Sequence, residues 1–399
     1  MNLVRYIAAF SIALSAPATA TTDSTPTIVP CGGSFATFLA AMKSEARKRG
    51  FSDASVQHFF AVASHDPRTI RADRAQGVFK KTFIEFSRAV ISQNRMVNGR
   101  RNAESQDAIF DRIEAEYGVP RGVLLAFWAL ETDFGAVQGD FNTLNSLLTL
   151  SHDCRRPALF QPQVFAALEL FERGDFDPAL TEGAWAGEIG MVQMLPQDIL
   201  ENGVDGDGDG RVSLKTSPPD ALLSGARMLR GLGWRENEPW LQEIVVPDDL
   251  DWAETGLGTQ QTVGEWAQQG VRARFGQLGK DDLQASVVLP MGRNGPAFIA
   301  YPNFRVYFEW NKSFVYVTTA AYFATRLEGA PVYDERSPSE ALSSEEMETL
   351  QTKLEARGFD VGGIDGILGA KTRAAVRAEQ VRLGLPADAW PTIELLNHL

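Results

Sequence analysis

A glutamate on an apolar helical face is the residue of this chain best placed for acid chemistry. Within residues 119–135, VPRGVLLAFWALETDFG, the side chains of Leu124, Phe127, Trp128 and Glu131 lie three and four positions apart, so they share one face of a helix. A carboxyl group beside large apolar side chains loses solvation when it ionises, which raises its pKa and lets it hold a proton near neutral pH. The pattern predicts a general acid. A glutamate that pairs with an arginine or reaches solvent fits the pattern equally well.

The ends of this helix carry their own signals. Pro120 falls in the first turn, Gly118 can end a preceding helix, and Gly135 can stop this one. The nearest second acid, Asp133, stands two positions after Glu131, which is about 200° around a helix. We therefore expect Asp133 to lie outside the pocket of Glu131, which leaves a single carboxylate there.

A glycine-rich motif follows at residues 186–196, AGEIGMVQMLP. Gly187 and Gly190 can let the backbone approach a ligand closely, and the amide of Gln193 can both donate and accept hydrogen bonds. These properties suit a surface that binds sugars. Glycine-rich turns before a helix also occur without such a role, so the motif alone leaves both interpretations open.

An acidic loop occupies residues 205–213, DGDGDGRVS. Its carboxylates at positions 1, 3 and 5 and its glycine at position 6 match the first half of an EF-hand calcium loop. The twelfth position is Thr216 instead of glutamate, so the bidentate ligand is missing unless Asp220 closes the shell. Three carboxylates so close together repel unless a cation neutralises them, which favours a metal over a metal-free acidic turn.

Other site types have little support. Residues 303–316, NFRVYFEWNKSFVY, hold aromatic side chains that can stack on sugar rings or simply form core. The four histidines and two cysteines show no zinc spacing. The 399-residue chain has 51 acidic and 38 basic residues, a net charge of −13, which argues against a nucleic-acid binder.

The first segment predicts export. Arg5 precedes an apolar run that ends in a small-x-small sequence, so residues 1–20 are expected to form a cleavable signal peptide; the run is too short for the ~20 residues that span a bilayer. We expect no transmembrane segment. In an oxidising compartment, a disulfide between Cys31 and Cys154 is favoured over two buried free thiols.

Helical periodicity dominates up to residue 232. Ser52 and Ser105 are expected caps, and a mixed region between residues 243 and 289 includes the strand candidates EIVVP and SVVLP. A Pro- and Ser-rich segment at residues 328–344 is typical of a linker, and a compact unit follows it. Besides the helix within residues 119–135, the predicted helices cover residues 34–49, 52–64, 75–97, 103–117, 160–173, 219–232, 311–327, 347–357 and 370–384.

Four motifs occur in the order ETDFG, AGEIGMVQMLP, DGDGDGRVSL and NFRVYFEWN. Through them the chain resembles lytic murein transglycosylases of the B family, over roughly residues 31–331. The resemblance implies a mainly α fold, with a lysozyme-like (goose-type/transglycosylase) catalytic domain and a small mixed insert. It implies that Glu131 is the catalytic carboxylate and that no cofactor takes part in catalysis. The implied glycan-binding residues are Trp185, Gly187, Gly190, Met191, Gln193, Trp310, Asn311 and Tyr316, and those of a structural Ca²⁺ are Asp205, Asp207, Asp209, Arg211 and Asp220.

Two departures from the family pattern concern single contacts. Met191 stands where a tyrosine is common, which removes one stacking contact. The acidic loop has an extra residue before Asp220, which affects that ligand.

Residues 345–399 resemble a peptidoglycan-binding domain of the three-helix type, through LQTKLEARGFDVGGIDGILGAKTRAAVRAEQ and the later GLP. The matching signature is the turn at Asp365 and Gly366 together with Thr372. Residues 332–344 then form the linker between the two domains. The unit has about 55 residues, which is near the lower limit for a stable domain and too small for a deep active site, so binding suits it.

Together the resemblances imply a monomeric periplasmic enzyme that acts on peptidoglycan strands and binds no nucleic acid. It would cleave the β-1,4 bond between N-acetylmuramic acid and N-acetylglucosamine and leave 1,6-anhydromuramic ends. A lysozyme-type hydrolase and a catalytically silent wall-binding protein are the alternatives.

Overall fold

The computed structural model describes residues 29–75 and 81–399. The predicted signal peptide at residues 1–20 lies outside this range, as do residues 76–80 of the helix predicted over 75–97. The described chain is mainly helical, as predicted. It forms two compact units, whose described parts are residues 29–75 with 98–231, and residues 81–97 with 232–399. No helix within the described ranges is both long and apolar enough to cross a membrane.

The described chain contains seventeen α-helices, two short 3₁₀ helices at Phe60–Val62 and Trp252–Glu254, and seven short strands. The helices are α1 Phe35–Lys48, α2 Asp53–Phe59, α3 Pro67–Arg74, α4 Phe83–Val90, α5 Gln93–Ser105, α6 Asp107–Tyr117, α7 Arg121–Thr132, α8 Thr143–His152, α9 Pro157–Arg173, α10 Pro196–Asn202, α11 Pro218–Gly231, α12 Val263–Gln268, α13 Pro302–Trp310, α14 Phe314–Leu327, α15 Ser344–Ala356, α16 Ala370–Leu383 and α17 Ile393–His398. The strands are β1 Phe141–Asn142, β2 Glu182–Gly183, β3 Leu241–Val245, β4 Gln261–Thr262, β5 Arg272–Ala273, β6 Gln284–Val288 and β7 Phe298–Ala300.

Capping residues show which of the predicted helix starts are right and which are wrong. Ser52 caps α2 by accepting from the backbone N–H of Ser55, as predicted. Ser105 is not a cap, because it is the last residue of α5 and α6 begins after Gln106 without a side-chain cap. The single helix predicted over residues 75–97 is also wrong. Thr82 caps α4 and Ser92 accepts from the N–H at the start of α5, so the span contains two helix starts.

A disulfide bond links Cys31 to Cys154 in the first unit, which confirms the predicted pair. The two Cα atoms are 5.2 Å apart, and the bond closes a sequence separation of 123 residues. Beside it, the N–H of Gly32 donates to the carbonyl of His152, the last residue of α8. The bond therefore ties the described N-terminal segment to the end of α8.

The mixed insert of the second unit is an antiparallel five-stranded sheet in the order β4-β6-β7-β3-β5. The two apolar runs predicted as strands form β3 and β6, and Val287 of β6 lies opposite Ile299 of β7. One face of the sheet packs around Trp266, whose indole N–H donates to the carbonyl of Ala285. The insert thus has a hydrophobic core of its own.

The C-terminal module, α15 to α17, also has its own core, built around Leu350, Leu354 and Val376. It is nevertheless packed against the insert within the second unit. The guanidinium of Arg373 donates to the carbonyl of Pro290 at 2.8 Å, and the N–H of Arg293 donates to Asp388 at 2.9 Å. The module is therefore held by specific hydrogen bonds as well as by its covalent connection.

Residues 331–343, before α15, contain no helix or strand. Part of this segment is nevertheless fixed in place. The buried Tyr333 shares a hydrogen bond of 2.8 Å with Ser87, and the guanidinium of Arg336 donates to the carbonyl of Arg293. The connection is consequently packed against its own unit along part of its length.

Candidate active site

Helix α7 carries Glu131 one residue before its last residue, Thr132. Gly118 ends α6 in the left-handed conformation and Pro120 occupies the N-cap, close to the prediction. The predicted stop at Gly135 is wrong, because Asp133 already adopts the left-handed conformation, with φ of 52°. Asp133 is therefore outside the helix, and the helical-wheel argument that separated it from Glu131 does not apply.

The helical face below Glu131 is as apolar as its sequence predicts. Leu124 and Phe127 are fully buried, and Trp128 is 3% exposed. Glu131 itself is half-buried at the end of this face. Just beyond the helix, the ring of Phe134 meets the indole of Trp128 edge to face at 5.6 Å. The carboxyl-bearing end of α7 thus has apolar walls, while the role of Glu131 as general acid stays a prediction.

The end of α7 is joined directly to the glycine-rich motif of residues 186–196. The hydroxyl of Thr132 donates to the carbonyl of Met191 at 2.7 Å. On its other side, the N–H of Met191 donates to the carbonyl of Leu214 at 2.9 Å. Since Thr132 follows Glu131 in the chain, this bond fixes the motif next to the carboxyl-bearing turn.

The two motif glycines serve the packing of the protein itself. Both have positive φ, 93° at Gly187 and 79° at Gly190. A Cβ at Gly187 would lie 2.3 Å from the side chain of Leu147, and one at Gly190 would lie 2.5 Å from Leu214. The predicted close approach exists, but the groups that approach are leucines of this chain. A direct contact between these glycines and a glycan is therefore not required to explain them.

Gln193 has the properties expected of a binding residue. It is 4% exposed, and its φ of 54° is in the left-handed region that few non-glycine residues adopt. Its side-chain NH₂ donates to the carbonyl of Gly190 at 2.7 Å, whereas its Oε1 has no hydrogen-bond partner among the described residues. A buried amide oxygen without a partner is an acceptor that a ligand hydroxyl group could satisfy.

Glu188 is the site residue that the sequence analysis missed. Its side chain is 4% exposed, and its Oε2 has no hydrogen-bond partner within the described ranges. Burial, with a smaller contribution from the negative charge of Glu131, raises the pKa of Glu188 to about 8, although hydrogen bonds from the backbone N–H groups of Glu188 and Ala186 act in the opposite direction. The available signal was an acid between two motif glycines in an otherwise apolar stretch. The first unit therefore places a second carboxyl group within electrostatic reach of Glu131.

The remaining predicted binding residues fall into two groups. In the first unit, Trp185 precedes the glycine-rich motif and is half-buried, and Met191 lies within the motif and is 9% exposed. Trp310, Asn311 and Tyr316 belong to the second unit and are all buried. Burial of these three favours their core interpretation in this conformation, and their contact with glycan stays a prediction.

The acidic loop brings together three of the five predicted calcium ligands. Carboxylate oxygens of Asp205, Asp207 and Asp209 all lie within 4.8 Å of one another. This all-oxygen donor set fits a hard divalent cation. The loop also supplies its own donors, because Asp205 accepts from the backbone N–H groups of Gly208 and Gly210 at 2.7 and 2.8 Å. These amides reduce the repulsion that made a cation seem necessary.

Asp220 fits the predicted bidentate role less well. It is fully buried, and one of its oxygens accepts from Gly206 N–H at 2.8 Å while the other accepts from Ser213 N–H at 2.7 Å. Both oxygens thus hold the loop backbone. Arg211, the fifth predicted ligand, is exposed, and its N–H donates to Asp209.

The mainly helical fold, with a half-buried carboxyl group at the end of an apolar helix, fits the lysozyme-like class of catalytic domain that the motifs predicted. The family model described as "Transglycosylase SLT domain" matches residues 34–325, and the model described as "Putative peptidoglycan binding domain" matches residues 343–399. The chain therefore belongs to the transglycosylase SLT domain family, as its motifs predicted, and carries a peptidoglycan-binding domain.

Several known proteins are similar to this chain. SltB3 from Pseudomonas aeruginosa, solved with NAG-NAM-pentapeptide, is 33% identical with a TM-score of 0.84, covering 92% of this chain and 100% of that one. The structure of SltB3 with NAG-anhNAM-pentapeptide is 34% identical with a TM-score of 0.84, covering 92% of this chain and 99% of that one. Membrane-bound lytic murein transglycosylase B of Escherichia coli (strain K12) is 24% identical over 232 residues, or 58% of this chain. The match spans 63% of the length of that curated relative.

Proposed function

We propose that this protein is a peptidoglycan lytic transglycosylase that cleaves the β-1,4 bond between N-acetylmuramic acid and N-acetylglucosamine. The observation that carries the proposal is the half-buried Glu131 at the end of an apolar helix, fixed to the glycine-rich motif by the bond between Thr132 and Met191. The chain's family membership supports it. So do the names of its relatives, since SltB3 was solved with both NAG-NAM and NAG-anhNAM peptides.

In the proposed reaction, one carboxyl group acts twice. Protonated Glu131 gives its proton to the glycosidic oxygen as the bond to C1 of the muramic residue breaks. The resulting carboxylate then takes the proton of the C6 hydroxyl group of the same sugar, whose oxygen forms a bond to C1. This closes a 1,6-anhydro ring, releases the N-acetylglucosamine end with its hydroxyl group restored, and returns Glu131 to its protonated state.

The motif beside Glu131 orients the substrate in this proposal. The free Oε1 of Gln193 accepts a hydrogen bond from a sugar hydroxyl or acetamido N–H group. The half-buried indole of Trp185 offers an apolar surface to a sugar ring. Both residues belong to the same unit as Glu131, so each can act on the sugars adjacent to the broken bond.

Calcium is proposed as a structural ion of the acidic loop. Asp205, Asp207 and Asp209 would hold it with their side chains and Arg211 with its backbone carbonyl, as in an EF-hand loop. A bound cation would neutralise three carboxylates and stiffen the loop. It has no part in the bond cleavage.

The proposed setting is the periplasm, where the enzyme works as a monomer. The C-terminal domain would keep it on an insoluble polymer, since tethering raises the effective concentration of cleavable bonds. Its family model matches residues 343–399, which supports peptidoglycan as its ligand.

Mass spectrometry of digested, purified sacculi tests the proposed activity. We expect muropeptides with 1,6-anhydromuramic ends, lighter by one water than hydrolysis products and resistant to borohydride because they lack a free hemiacetal. Glu131→Gln should release none of them. Reducible muramic ends as the main product would identify a lysozyme-type hydrolase. No release by wild-type protein that still binds sacculi would identify a silent wall-binding protein.

A further inference from the structure

A cavity of about 330 Å³ lies within the second unit, among residues to which the proposed reaction assigns no task. It is lined by α13, the start of β6 and the segment that follows α11. Its volume is within the range of small-ligand sites. Asn303 of α13 is fully buried and fixes one wall, since its side chain accepts from the N–H of Arg235 at 2.7 Å and donates to the carbonyl of the same residue at 2.8 Å. The cavity is therefore a preformed part of the fold.

The half-buried side chain of Arg305 lines this cavity and is held by neutral acceptors. Its Nη2 donates to the carbonyl of Leu257 at 2.8 Å and to the hydroxyl group of Ser286 at 3.4 Å. The amide of Gln260, turned so that its oxygen faces the guanidinium, accepts from Nε and Nη2 at 2.6 Å each. Nη1 makes no hydrogen bond within the described part of the chain. The guanidinium is thus fixed in orientation while one of its nitrogen atoms stays free for a ligand.

The positive charge of Arg305 has no counter-ion among the described residues. The two other charged side chains that line the cavity are already paired, Glu309 with Lys312 at 2.9 Å. Arg235 is paired with Glu238 at 3.5 Å. Burial lowers the pKa of Arg305, and no carboxylate of the described chain offsets this change. A half-buried cation without a counter-ion costs stability, and it is unexpected in a chain with 51 acidic and 38 basic residues. The cavity therefore favours an anionic ligand.

The other walls of the cavity limit which anion fits. Leu232, Pro302 and Val306 form an apolar side, and Gln284 adds an exposed amide. A carboxylate matches the planar fork of a guanidinium, an amide side chain matches a peptide group, and an apolar wall suits a methyl group. A peptide that ends in alanine combines all three groups at its free carboxyl end.

We propose that this cavity binds the terminal carboxylate of a peptidoglycan stem peptide, with Arg305 as the anchoring cation. The inference rests on the proposed function, which supplies peptidoglycan as the substrate. Nη1 of Arg305 donates to the carboxylate, the amide of Gln284 bonds the last peptide group, and the methyl group of the terminal alanine packs on Val306. A stem peptide that has lost its terminal carboxylate to a cross-link lacks the anchored group, so strands with free peptide ends are bound more tightly.

Isothermal titration calorimetry of the full-length protein tests the proposal with two probes, NAG-NAM-pentapeptide and the same compound with its terminal carboxylate converted to an amide. Neither contains a bond from NAM to a following NAG, so binding is measured without turnover. We expect wild type to bind the free acid about tenfold more tightly than the amide, and Arg305→Gln to bind the two within about twofold of each other. Equal binding of both probes by wild type, or a preference that survives in Arg305→Gln, would overturn the proposal.

Arg272→Gln is the matched control. It makes the same chemical change at an exposed arginine on β5 of the same sheet, and Arg272 does not line the cavity. This variant should keep the full wild-type preference for the free acid. If Arg272→Gln loses the preference as Arg305→Gln does, the preference comes from the overall charge of the surface and the peptide subsite is refuted.

Gln284→Glu covers the case in which Arg305→Gln fails to fold. It changes an exposed side chain and places a carboxylate in the cavity, where it neutralises Arg305 and repels the ligand. The preference for the free acid should fall to within about twofold, and an unchanged preference would contradict the proposal. Failure of this inference differs from failure of the proposed function, because wild type without any preference for the free acid would still release 1,6-anhydro products.

Discussion

The glycine-rich motif of residues 186–196 and the turn of residues 360–369 in the C-terminal module differ in whether the buried polar side-chain atoms there are hydrogen-bonded. Both are glycine-containing segments that precede a helix. In the module, Gln351 is fully buried and its amide is saturated: Oε1 accepts from Asp365 and Gly366 N–H, and Nε2 donates to Asp365 and Ile367 at 3.0 Å each. Its buried polar atoms serve the fold.

In the motif, two buried oxygen atoms have no partner among the described residues, Oε2 of Glu188 and Oε1 of Gln193. Gln193 also has a left-handed backbone. Such features lower stability and persist where a ligand or a reaction uses them. The comparison teaches that the two segments differ in hydrogen-bond saturation: the module's turn satisfies its buried amide from within, and the motif keeps acceptors that a substrate would satisfy in the proposed function.

The largest expected effect concerns the acid itself. Glu131→Gln keeps the volume of the side chain but can neither give nor take a proton, so kcat should fall by about 10³-fold or more while the melting temperature stays close to wild type. Glu201→Gln is the matched control, because it makes the same chemical change at an exposed glutamate on α10. It should retain activity within about threefold. Comparable losses in both variants would remove the special position of Glu131.

The pH dependence of stability should have opposite signs in the two regions. In the motif, burial raises the pKa of Glu188 from 4.5 to about 8, so the folded state binds its proton more tightly than the unfolded state does. The free energy of unfolding should therefore fall by about 4 kcal/mol between pH 4.5 and 8, an upper estimate at about 1.4 kcal/mol per pKa unit. Glu188→Gln should abolish this fall in urea unfolding.

In the module, the ion pair with Lys371 lowers the pKa of the exposed Asp360 below its ordinary 3.8. Its stabilisation is present above that value and is lost as the pH falls through the folded pKa. Asp360→Asn should accordingly lower stability above about pH 4 and have little effect well below it, whereas Glu188→Gln is expected to raise stability at alkaline pH. A fall toward alkaline pH that survives in Glu188→Gln would assign the effect to another group.

Replacing the two glutamines should separate binding from folding. Gln351→Ala removes five hydrogen bonds from a buried site, so we expect a loss of about 3 kcal/mol of unfolding free energy with unchanged kcat/KM on short soluble glycans. Gln193→Ala should cost only about 1 kcal/mol of stability but reduce kcat/KM about tenfold or more. A large loss of kcat/KM in Gln351→Ala together with a large loss of stability in Gln193→Ala would contradict the contrast between the two regions.

The smallest expected effect is that of calcium. At a tenfold excess over its dissociation constant, calcium should add about 1.4 kcal/mol to the free energy of unfolding, because ligand binding to the native state alone stabilises it. Asp205→Ala combined with Asp209→Ala should remove the gain. A melting temperature that does not change from micromolar to millimolar calcium would show that the loop is a metal-free turn held by its own backbone amides.

Local patterns were enough to predict several of these features. The 3.6-residue periodicity located α7 and its carboxyl group, and the export signal together with two cysteines predicted the disulfide that the structure contains. The strands of the insert were visible as short apolar runs. Each of these signals lies within a few neighbouring residues or in a count of residue types.

What the sequence could not predict depends on residues far apart in the chain. The charge interaction of Glu188 exists only because α7 and the motif meet, and the role of Gly187 and Gly190 depends on Leu147 and Leu214. The predictions of helix ends were wrong for a different reason. Ser105 is as good a cap by type as Ser52, but α5 continues through the predicted start and ends at Ser105, which the residue types did not indicate.

The central claim is that the nucleophile is the C6 hydroxyl group of the cleaved sugar, and digestion of sacculi in heavy-oxygen water tests it most directly. An intramolecular attack can have an effective molarity of about 10⁵ M or more, against roughly 55 M for water. We therefore predict that the new muramic ends released by wild type carry no heavy oxygen. New muramic ends that carry one heavy oxygen each would contradict the account and make Glu131 the acid of a hydrolase.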